Sequence, residues 1–255
     1  MAARATRAVR LAVRLSALVA GVLVLAGCGS VDPDDAALQE RVFSVAGREL
    51  TVDSDNSALE LVPTDARQVK VTRWFRGWAL GGAARVSWDV RGDTLRLRMH
   101  CTGITVRCAA RHRIEVPRAL AVTVRSTNGP VGARDFAGHL AVRTTNGAVR
   151  VREASGALAL RTTNGTIEAK AVGSPTISAA SRNGAIRIST DRVPDRVETR
   201  NGNGSTRIAL PRAPYKVDAG SRNGSVTVGV PRDGASAHAV TARGGNGDVE
   251  VRDLG

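Results

Sequence analysis

HLAVRTTNGAVRV, residues 139–151, places one Asn-Gly pair between two short runs in which apolar and polar residues alternate. With Asn146 as position zero, the apolar side chains lie at positions −6, −4, +3 and +5. Such alternation is typical of β-strands that bury one face, so the stretch predicts two strands joined by one turn. The four apolar residues are Leu140, Val142, Val149 and Val151.

The same register recurs around seven other asparagines, of which Asn203 is the weakest copy. From Asn128 onward the steps between copies are 18, 18, 19, 20, 20 and 23 residues, which is the length of one solenoid coil. A series of β-hairpins is the alternative, because Asn-Gly is also a strong hairpin signal. The long spacer and the shared register favour coils. The predicted corners are Asn56, Asn128-Gly129, Asn146-Gly147, Asn164-Gly165, Asn183-Gly184, Asn203-Gly204, Asn223-Gly224 and Asn246-Gly247.

These repeats predict an all-β fold, a right-handed parallel β-helix of about ten coils with a period of about 18–20 residues. Each coil should give one strand to each of two or three parallel sheets. Glycine accepts a positive φ at the corner, and asparagine tolerates it better than other residues with a side chain. Stacked asparagine amides can also bond from coil to coil. Position −2 is serine or threonine in six copies, which suits a small polar side chain turned inward.

The N-terminal 27 residues have the features of an export signal. Four arginines precede an apolar stretch from Leu15 to Ala26 that is too short to span a membrane. The stretch ends in Leu-Ala-Gly-Cys28, which resembles the bacterial lipobox; an ordinary secretory signal with an incidental cysteine is the alternative. The resemblance implies a mature chain that starts at a lipidated Cys28 and is anchored outside the cytoplasmic membrane.

The sequence therefore divides into a signal (1–27), a lipidated cysteine with a short tether (28–40), and one solenoid domain (41–255). Within the domain, 41–117 should form irregular N-terminal coils and 118–255 the regular Asn-Gly repeats. Gly92 takes the corner position of one irregular coil. The nearby stretch Arg73–Trp78 combines aromatic residues with arginines; it could form a ligand platform or a membrane-facing patch, but a cap over the first coil is favoured.

Cys101 and Cys108 are the other two cysteines of the chain. Because an exported protein meets an oxidising environment, a disulfide between them is expected. His100 and His112 lie nearby, but the spacing matches no familiar zinc pattern, so no metal is expected.

Position −3 should face solvent, and it is arginine in five of the seven copies from Asn128 onward. Arginines stacked at strand spacing repel one another unless they are solvated or bind anions. Acidic residues at position +4, Glu168 and Glu250, should relieve part of this repulsion. A solvated face explains the pattern; the sharper hypothesis is a groove for an anionic wall polymer or lipid head groups. The five residues are Arg125, Arg143, Arg161, Arg200 and Arg243.

The segment Arg113-Ile-Glu-Val-Pro117 is followed by VTVRSTNG, residues 122–129, and by later Thr-Asn-Gly and Arg-Asn-Gly repeats. In these features the chain resembles the putative adhesin family of β-strand-repeat bacterial envelope proteins, a domain of unknown function. The resemblance covers roughly residues 42–255 and is clearest from 113. It implies a parallel β-helix, often anchored to a membrane, and carries over no catalytic or cofactor-binding residue.

The expected function is therefore non-enzymatic: a lipid-anchored adhesin or binding surface at the cell envelope. The acidic residues are scattered among corners and form no acid and base pair in the repeat register, which argues against a carbohydrate-active β-helix enzyme. A structural or sensing role through a protein partner is the other alternative, because the C-terminal coil should expose an unpaired edge. The net charge is +14, yet nucleic acid is not expected, since no aromatic residues interleave with the arginines.

Overall fold

The computed structural model describes residues 36–254, which belong to one compact unit. The predicted signal and Cys28 lie outside the described residues. Short β-strands make up most of the described chain. Within these residues, no helix is long and apolar enough to cross a membrane. The strands are β1 (Leu38–Phe43), β2 (Glu49–Asn56), β3 (Ala58–Thr64), β4 (Val69–Leu80), β5 (Ala83–Arg91), β6 (Thr94–Thr102), β7 (Thr105–Pro117), β8 (Ala121–Asn128), β9 (Val131–Arg134), β10 (Leu140–Asn146), β11 (Val149–Arg152), β12 (Leu158–Asn164), β13 (Ile167–Val172), β14 (Thr176–Asn183), β15 (Ile186–Thr190), β16 (Arg196–Asn203), β17 (Thr206–Leu210), β18 (Lys216–Asn223), β19 (Val226–Val228), β20 (Ala239–Asn246) and β21 (Val249–Asp253).

The strands form two sheets that are mostly parallel, and the fold is solenoid-like. The first sheet has the order β1-β4-β7-β3-β9-β11-β13-β15-β17-β21-β19, and the second has the order β18-β20-β16-β14-β12-β10-β8-β2-β6-β5. In the repeat region each coil gives its first strand to the second sheet and its next strand to the first sheet. The prediction allowed two or three sheets, and residues 36–254 form two.

Neighbouring coils pair in the register that the sequence predicts. Leu140 lies beside Val122 and Leu158, and Asn146 lies beside Asn128 and Asn164. The apolar side chains at positions −6, −4, +3 and +5 point between the two sheets; in the coil of Asn146 all four are at most 1% exposed. This narrow apolar core, filled by aliphatic side chains, holds the sheets together.

The asparagines form a continuous hydrogen-bonded ladder. From Asn128 onward each side-chain amide donates to the amide oxygen of the neighbouring coil's asparagine, over 2.6–2.9 Å. Several of the small polar residues at position −2 turn inward and bind a neighbouring corner, whereas the buried hydroxyl of Thr144 has no hydrogen-bond partner among the described residues. Thr162 and Ser181 donate to the carbonyl oxygens of Gly147 and Gly165, each over 3.1 Å. Each corner therefore satisfies polar groups of the previous coil, which couples the coils along the stack.

Five of the corner glycines have a positive φ, as expected, whereas none of the ladder asparagines among the described residues does; the five are Gly129, Gly184, Gly204, Gly224 and Gly247. Backbone packing gives a second reason for glycine at the corners. A Cβ atom on Gly147 would lie 2.1 Å from the carbonyl oxygen of Gly129. Close contact between stacked backbones, more than φ, therefore excludes side chains at this corner.

The opposite corner does place residues with side chains at positive φ. Ala171 has φ 51°, and Asp135 and Glu153 take the equivalent position in the two preceding coils.

We expect Ala171→Gly to raise the free energy of unfolding by about 1 kcal/mol, because an L residue is strained in this region. Urea unfolding measures this change in the free energy of unfolding. Ala169→Gly is the matched control: Ala169 is a buried strand residue, so this change should lower stability. Equal effects of the two changes would contradict the strain argument.

The N-terminal part is only partly a continuation of the coils, and the prediction for 41–117 was wrong there. β6 and β7 run parallel to β2 and β3 and form one further coil. However, β4 pairs antiparallel with β7 and with β1, and β5 pairs antiparallel with β6. Gly92 lies in the tight turn between β5 and β6, so it is a hairpin turn and not a coil corner. Strand β1 also begins at Leu38, inside the predicted tether.

This antiparallel layer covers the end of the core. Arg73 is buried with its guanidinium 4.0 Å from the centre of the Trp88 ring, and it donates hydrogen bonds to Gln39 of β1. Phe43 meets Trp88 edge to face. Arg73 thus belongs to a cap, as favoured for the stretch 73–78, whereas Trp78 of the same stretch is 55% exposed.

The order of the last coils differs from their order in sequence. The coil of β20 and β21 pairs with β16 and β17 on one side and with β18 and β19 on the other. The ladder follows the same path, since Asn246 donates to Asn203 and Asn223 donates to Asn246. The expectation of an exposed edge at the C-terminal coil was therefore wrong: the edge belongs to Lys216–Val228. The repeat register is identical in every coil, so it cannot indicate stacking order.

Candidate anion-binding surface

The outer face of the second sheet carries a row of arginines at position −3. Arg125, Arg143 and Arg161 are direct neighbours on β8, β10 and β12, and all three are exposed. Parallel strands lie about 4.8 Å apart, so the three guanidinium groups project from adjacent points of one line. Ala180 interrupts the row, and Arg200 and Arg243 continue it on β16 and β20. We call these five arginines the arginine row.

The five arginines differ in their partners. Arg200 forms an ion pair with Glu198 over 2.7 Å, and Arg243 forms one with Asp218. For Arg125, Arg143 and Arg161 the described residues supply no hydrogen-bond or ion-pair partner. Two guanidinium groups of the row are therefore neutralised by carboxylates, and the other three have no such partner among the described residues.

The acidic residues at position +4 do not relieve the repulsion within the row. Glu168 and Glu250 lie on β13 and β21, in the first sheet, whereas the row lies on the second. Glu250 pairs there with Arg207, over 3.3 Å. That part of the expectation was wrong, because positions −3 and +4 fall on opposite sides of the corner. Three like charges thus remain side by side, an arrangement that favours bound anions.

A shallow groove of about 230 Å³ runs beside the three free arginines. Its floor is formed by small side chains, including Ala141, Ala159 and Ser178, which leave the guanidinium groups standing above it. Arginine presents five N–H donors in a planar fork that matches phosphate, sulfate and carboxylate oxygens. The arrangement can therefore bind the charged groups of a linear polyanion running across the strands.

A wider groove of about 690 Å³ continues past Ala180. It adds two arginines that the sequence analysis did not single out, Arg182 and Arg222, which occupy position −1 of their coils. The signal was present in the repeats, because position −1 also faces outward. Only two copies have arginine there, so the pattern was too sparse to stand out.

The other predicted sites lie apart from this surface. Cys101 and Cys108 are joined by a disulfide bond of 2.03 Å at the N-terminal end. No group of three or more possible metal ligands occurs within residues 36–254. Two carboxylates of the first sheet, those of Glu60 and Glu115, each form an ion pair with Arg113 over 3.8 Å. Arg111 also pairs with Glu60, over 3.3 Å, so both carboxylates have cationic partners.

The fold and these surfaces can be compared with known proteins. No curated protein matches the chain. Three similar solved structures are a putative adhesin from Bacteroides fragilis NCTC 9343 (14% identity, 84% of this chain and 97% of that chain, TM-score 0.42), a putative adhesin from Parabacteroides distasonis ATCC 8503 (12%, 85% and 98%, 0.38) and a putative cell adhesion protein from Clostridium sporogenes ATCC 15579 (10%, 85% and 100%, 0.37). These scores are too low to support any argument about function.

The family comparison is decisive for identity. Residues 113–252, more than half of the chain, match the family described as Toastrack DUF4097. The matched segment spans β8 to β20 and most of β21, that is, the whole Asn-Gly ladder beyond Asn56 together with the arginine row. A domain of unknown function with β-strand repeats was the family that the sequence resembled. The chain belongs to the Toastrack DUF4097 family.

Proposed function

We propose that this protein is a non-enzymatic, lipid-anchored component of the cell envelope that binds anionic polymers through its arginine row. The observation that carries the proposal is the set of three adjacent, exposed guanidinium groups, Arg125, Arg143 and Arg161, without partners among residues 36–254. Like charges at this spacing repel one another. A bound polyanion would screen that repulsion and would attract each of the three guanidinium groups. An adhesin-like role follows, in which a lipid on Cys28 anchors the protein and the solenoid presents the arginine row. We take the solenoid to be right-handed, with about ten coils.

The test is binding of the form 31–255 to dextran sulfate and alginate, with neutral dextran as the uncharged control. The triple change of Arg125, Arg143 and Arg161 to serine should weaken binding to both polyanions roughly ten- to a hundredfold, because three exposed contacts of about 0.5–1 kcal/mol each are lost. Wild-type binding should fall steeply as salt rises. Isothermal titration calorimetry at several salt concentrations measures both effects.

A matched variant removes the same charge from the opposite sheet. Arg134, Arg150 and Arg187 are exposed on β9, β11 and β15, and their replacement by serine should leave at least half of the affinity. Equal losses in the two triple variants would mean that only net charge matters. No salt-dependent binding by the wild type would leave the row as a solvated face and exclude the proposal.

One observation favours a second candidate, a role through a protein partner. The coil of β18 and β19 is paired on one side only, and its inward residue Val226 is 42% exposed. An edge of this kind can accept a strand from another chain. Light scattering over a wide concentration range tests self-association at this edge, and a monodisperse monomer would leave only a different protein as partner.

A further inference from the structure

Four strands at the N-terminal end run past the Asn-Gly corner and leave the two-sheet body. In β7 only Arg111–Pro117 pair with β3, while Thr105–Ala110 continue outward against Phe75–Leu80 of β4. In β6 the outer part pairs with the first half of β5. We call residues 75–87 and 98–110 the flap. Six residues of strand extend about 20 Å, so the flap protrudes well beyond the ladder.

The tip of the flap is apolar and exposed. Trp78 and Leu80 are each 55% exposed, and Ile104 is 87% exposed. The two turns of the flap meet at this point, since the backbone N–H of Ile104 donates to the carbonyl oxygen of Leu80 over 2.9 Å. A single exposed apolar side chain is common on protein surfaces. Three large ones at one protruding tip indicate a surface that contacts a partner or a membrane.

The charge around the tip is of one sign. Neither Val71–Trp88 nor Leu95–Ile114 contains an aspartate or glutamate. Arg76, Arg85 and Arg107 are exposed within the flap. A tryptophan and aliphatic side chains surrounded by cationic groups suit the boundary of an anionic bilayer, where the ring lies at head-group depth and the cations meet lipid phosphates.

The disulfide holds the flap together at mid-length. Cys101 of β6 and Cys108 of β7 lie in its outward part, opposite Ala84 and Gly77 respectively. The bond therefore ties the β5–β6 ribbon to the β4–β7 ribbon outside the packed core. A stapled tip needs little further ordering when it meets a surface, which lowers the entropic cost of docking.

The start of the folded unit lies at the base of the flap. Leu38, the first residue of β1, is opposite Trp74 of β4, and the flap begins at the next residue of that strand. Nine residues separate Cys28 from Leu38, so ten Cα–Cα steps join the two. A segment of that length can reach at most about 36 Å, which exceeds the protrusion of the flap. A lipid at Cys28 and the tip can therefore contact one membrane at the same time.

From these observations we propose that the flap tip inserts Trp78, Leu80 and Ile104 into the interface of an anionic phospholipid bilayer and fixes the orientation of the solenoid on the membrane. The inference goes beyond the polymer-binding function and does not require the arginine row. Only its argument on orientation uses the predicted anchor at Cys28.

The test uses the form 31–255, which lacks Cys28, and vesicles of phosphatidylcholine and phosphatidylglycerol at a ratio of 7:3, with pure phosphatidylcholine vesicles for comparison. We expect co-sedimentation with the anionic vesicles and quenching of tryptophan fluorescence when part of the phosphatidylcholine carries bromine in its acyl chains. Trp78→Phe should keep the binding and lose most of the quenching. Binding of the wild type without quenching would overturn the proposal, and so would the absence of binding.

A second pair of variants distinguishes insertion of the flap tip from nonspecific hydrophobic adsorption to vesicles. Leu80→Ser with Ile104→Ser should reduce vesicle binding at least tenfold. The matched control changes two exposed apolar residues elsewhere, Val193→Ser with Leu254→Ser, and should bind as the wild type does. All four positions are exposed, so circular dichroism spectra should remain unchanged. Equal binding by the two double variants would overturn the proposal.

The tests also separate this inference from the proposed function. The variant with serine at Arg125, Arg143 and Arg161 should lose dextran sulfate binding while its quenching by brominated lipid persists. The tip variant should show the reverse. If the arginine variant loses quenching and the tip variant does not, the vesicle contact belongs to the arginine row and the flap proposal fails.

Discussion

Replacing Gly165 by alanine is expected to lower the free energy of unfolding by about 3 kcal/mol or more. A Cβ atom there would lie 2.1 Å from the carbonyl oxygen of Gly147 and 3.2 Å from the backbone nitrogen of Ala148. Both atoms belong to the backbone of the preceding coil, so no side-chain rotation can relieve the contact. The corner would have to open, which strains the amide ladder on both sides of Asn164. Urea unfolding followed by circular dichroism measures the loss.

The control for this change is Gly132→Ala in strand β9 of the first sheet. A Cβ atom at Gly132 would have only one neighbour within 4 Å, the carbonyl oxygen of Leu59 at 3.8 Å, which is an ordinary contact. We expect a change of at most about 0.5 kcal/mol, because alanine fits there without strain. Similar losses for the two variants would show that the flexibility of glycine, and not the close approach of stacked coils, governs the corner.

The stability of the protein should fall as pH falls from about 6.5 to about 4, and His112 should account for much of the fall. Burial, assisted by the positive charge of Arg73, lowers the pKa of His112 to about 4. Between that value and its ordinary value the unfolded chain binds a proton that the folded protein does not. The contribution of neutral His112 to the free energy of unfolding is therefore fully present above pH 6.5. It is lost as pH falls towards 4, and the loss is roughly 3 kcal/mol for such a shift.

The variant His112→Leu tests this assignment. Both ring nitrogens of His112 are buried without a hydrogen-bond partner among residues 36–254, so leucine should be tolerated and should raise stability by about 1–2 kcal/mol at pH 7. The difference between variant and wild type should then grow as pH falls to 4. His139→Leu, at an exposed position, is the control and should leave the pH dependence unchanged. A constant difference across this pH range would contradict the role of His112.

Much of the repeat region could be predicted from the sequence, because local alternation and one turn motif recur with a fixed spacing. Leu140, Val142, Val149 and Val151 were assigned to the core from position alone, and they are buried. The direction of the N-terminal strands could not be predicted in this way. Alternation around Gly92 is the same whether the strands form a coil or a hairpin, and only the tight turn between Arg91 and Thr94 distinguishes the two.

The candidate site could be predicted to a similar degree. Outward projection of Arg125, Arg143 and Arg161 follows from the period of two residues in a strand. The ion pair between Arg243 and Asp218 could not be foreseen, because these residues belong to coils whose contact depends on stacking order. For Arg73–Trp78 the sequence favoured a cap over a membrane-facing patch, and the exposed position of Trp78 could not be foreseen because the length of the outward strands depends on antiparallel pairing.

The stacking order of the last coils has a consequence for the order in which the chain can fold. Strands β18 and β19 precede β20 and β21 in the sequence, yet in the finished protein they pair with the stack only through those later strands. Folding that proceeds from the N-terminal end therefore cannot add Lys216–Val228 in their final place before β20 and β21 have docked. These residues must wait, or dock provisionally on β16 and β17 and then give way. A chain that stopped before Ala239 would leave Val217, Ala219 and Val226 without their native neighbours on β20 and β21, and such incompletely packed apolar residues favour aggregation.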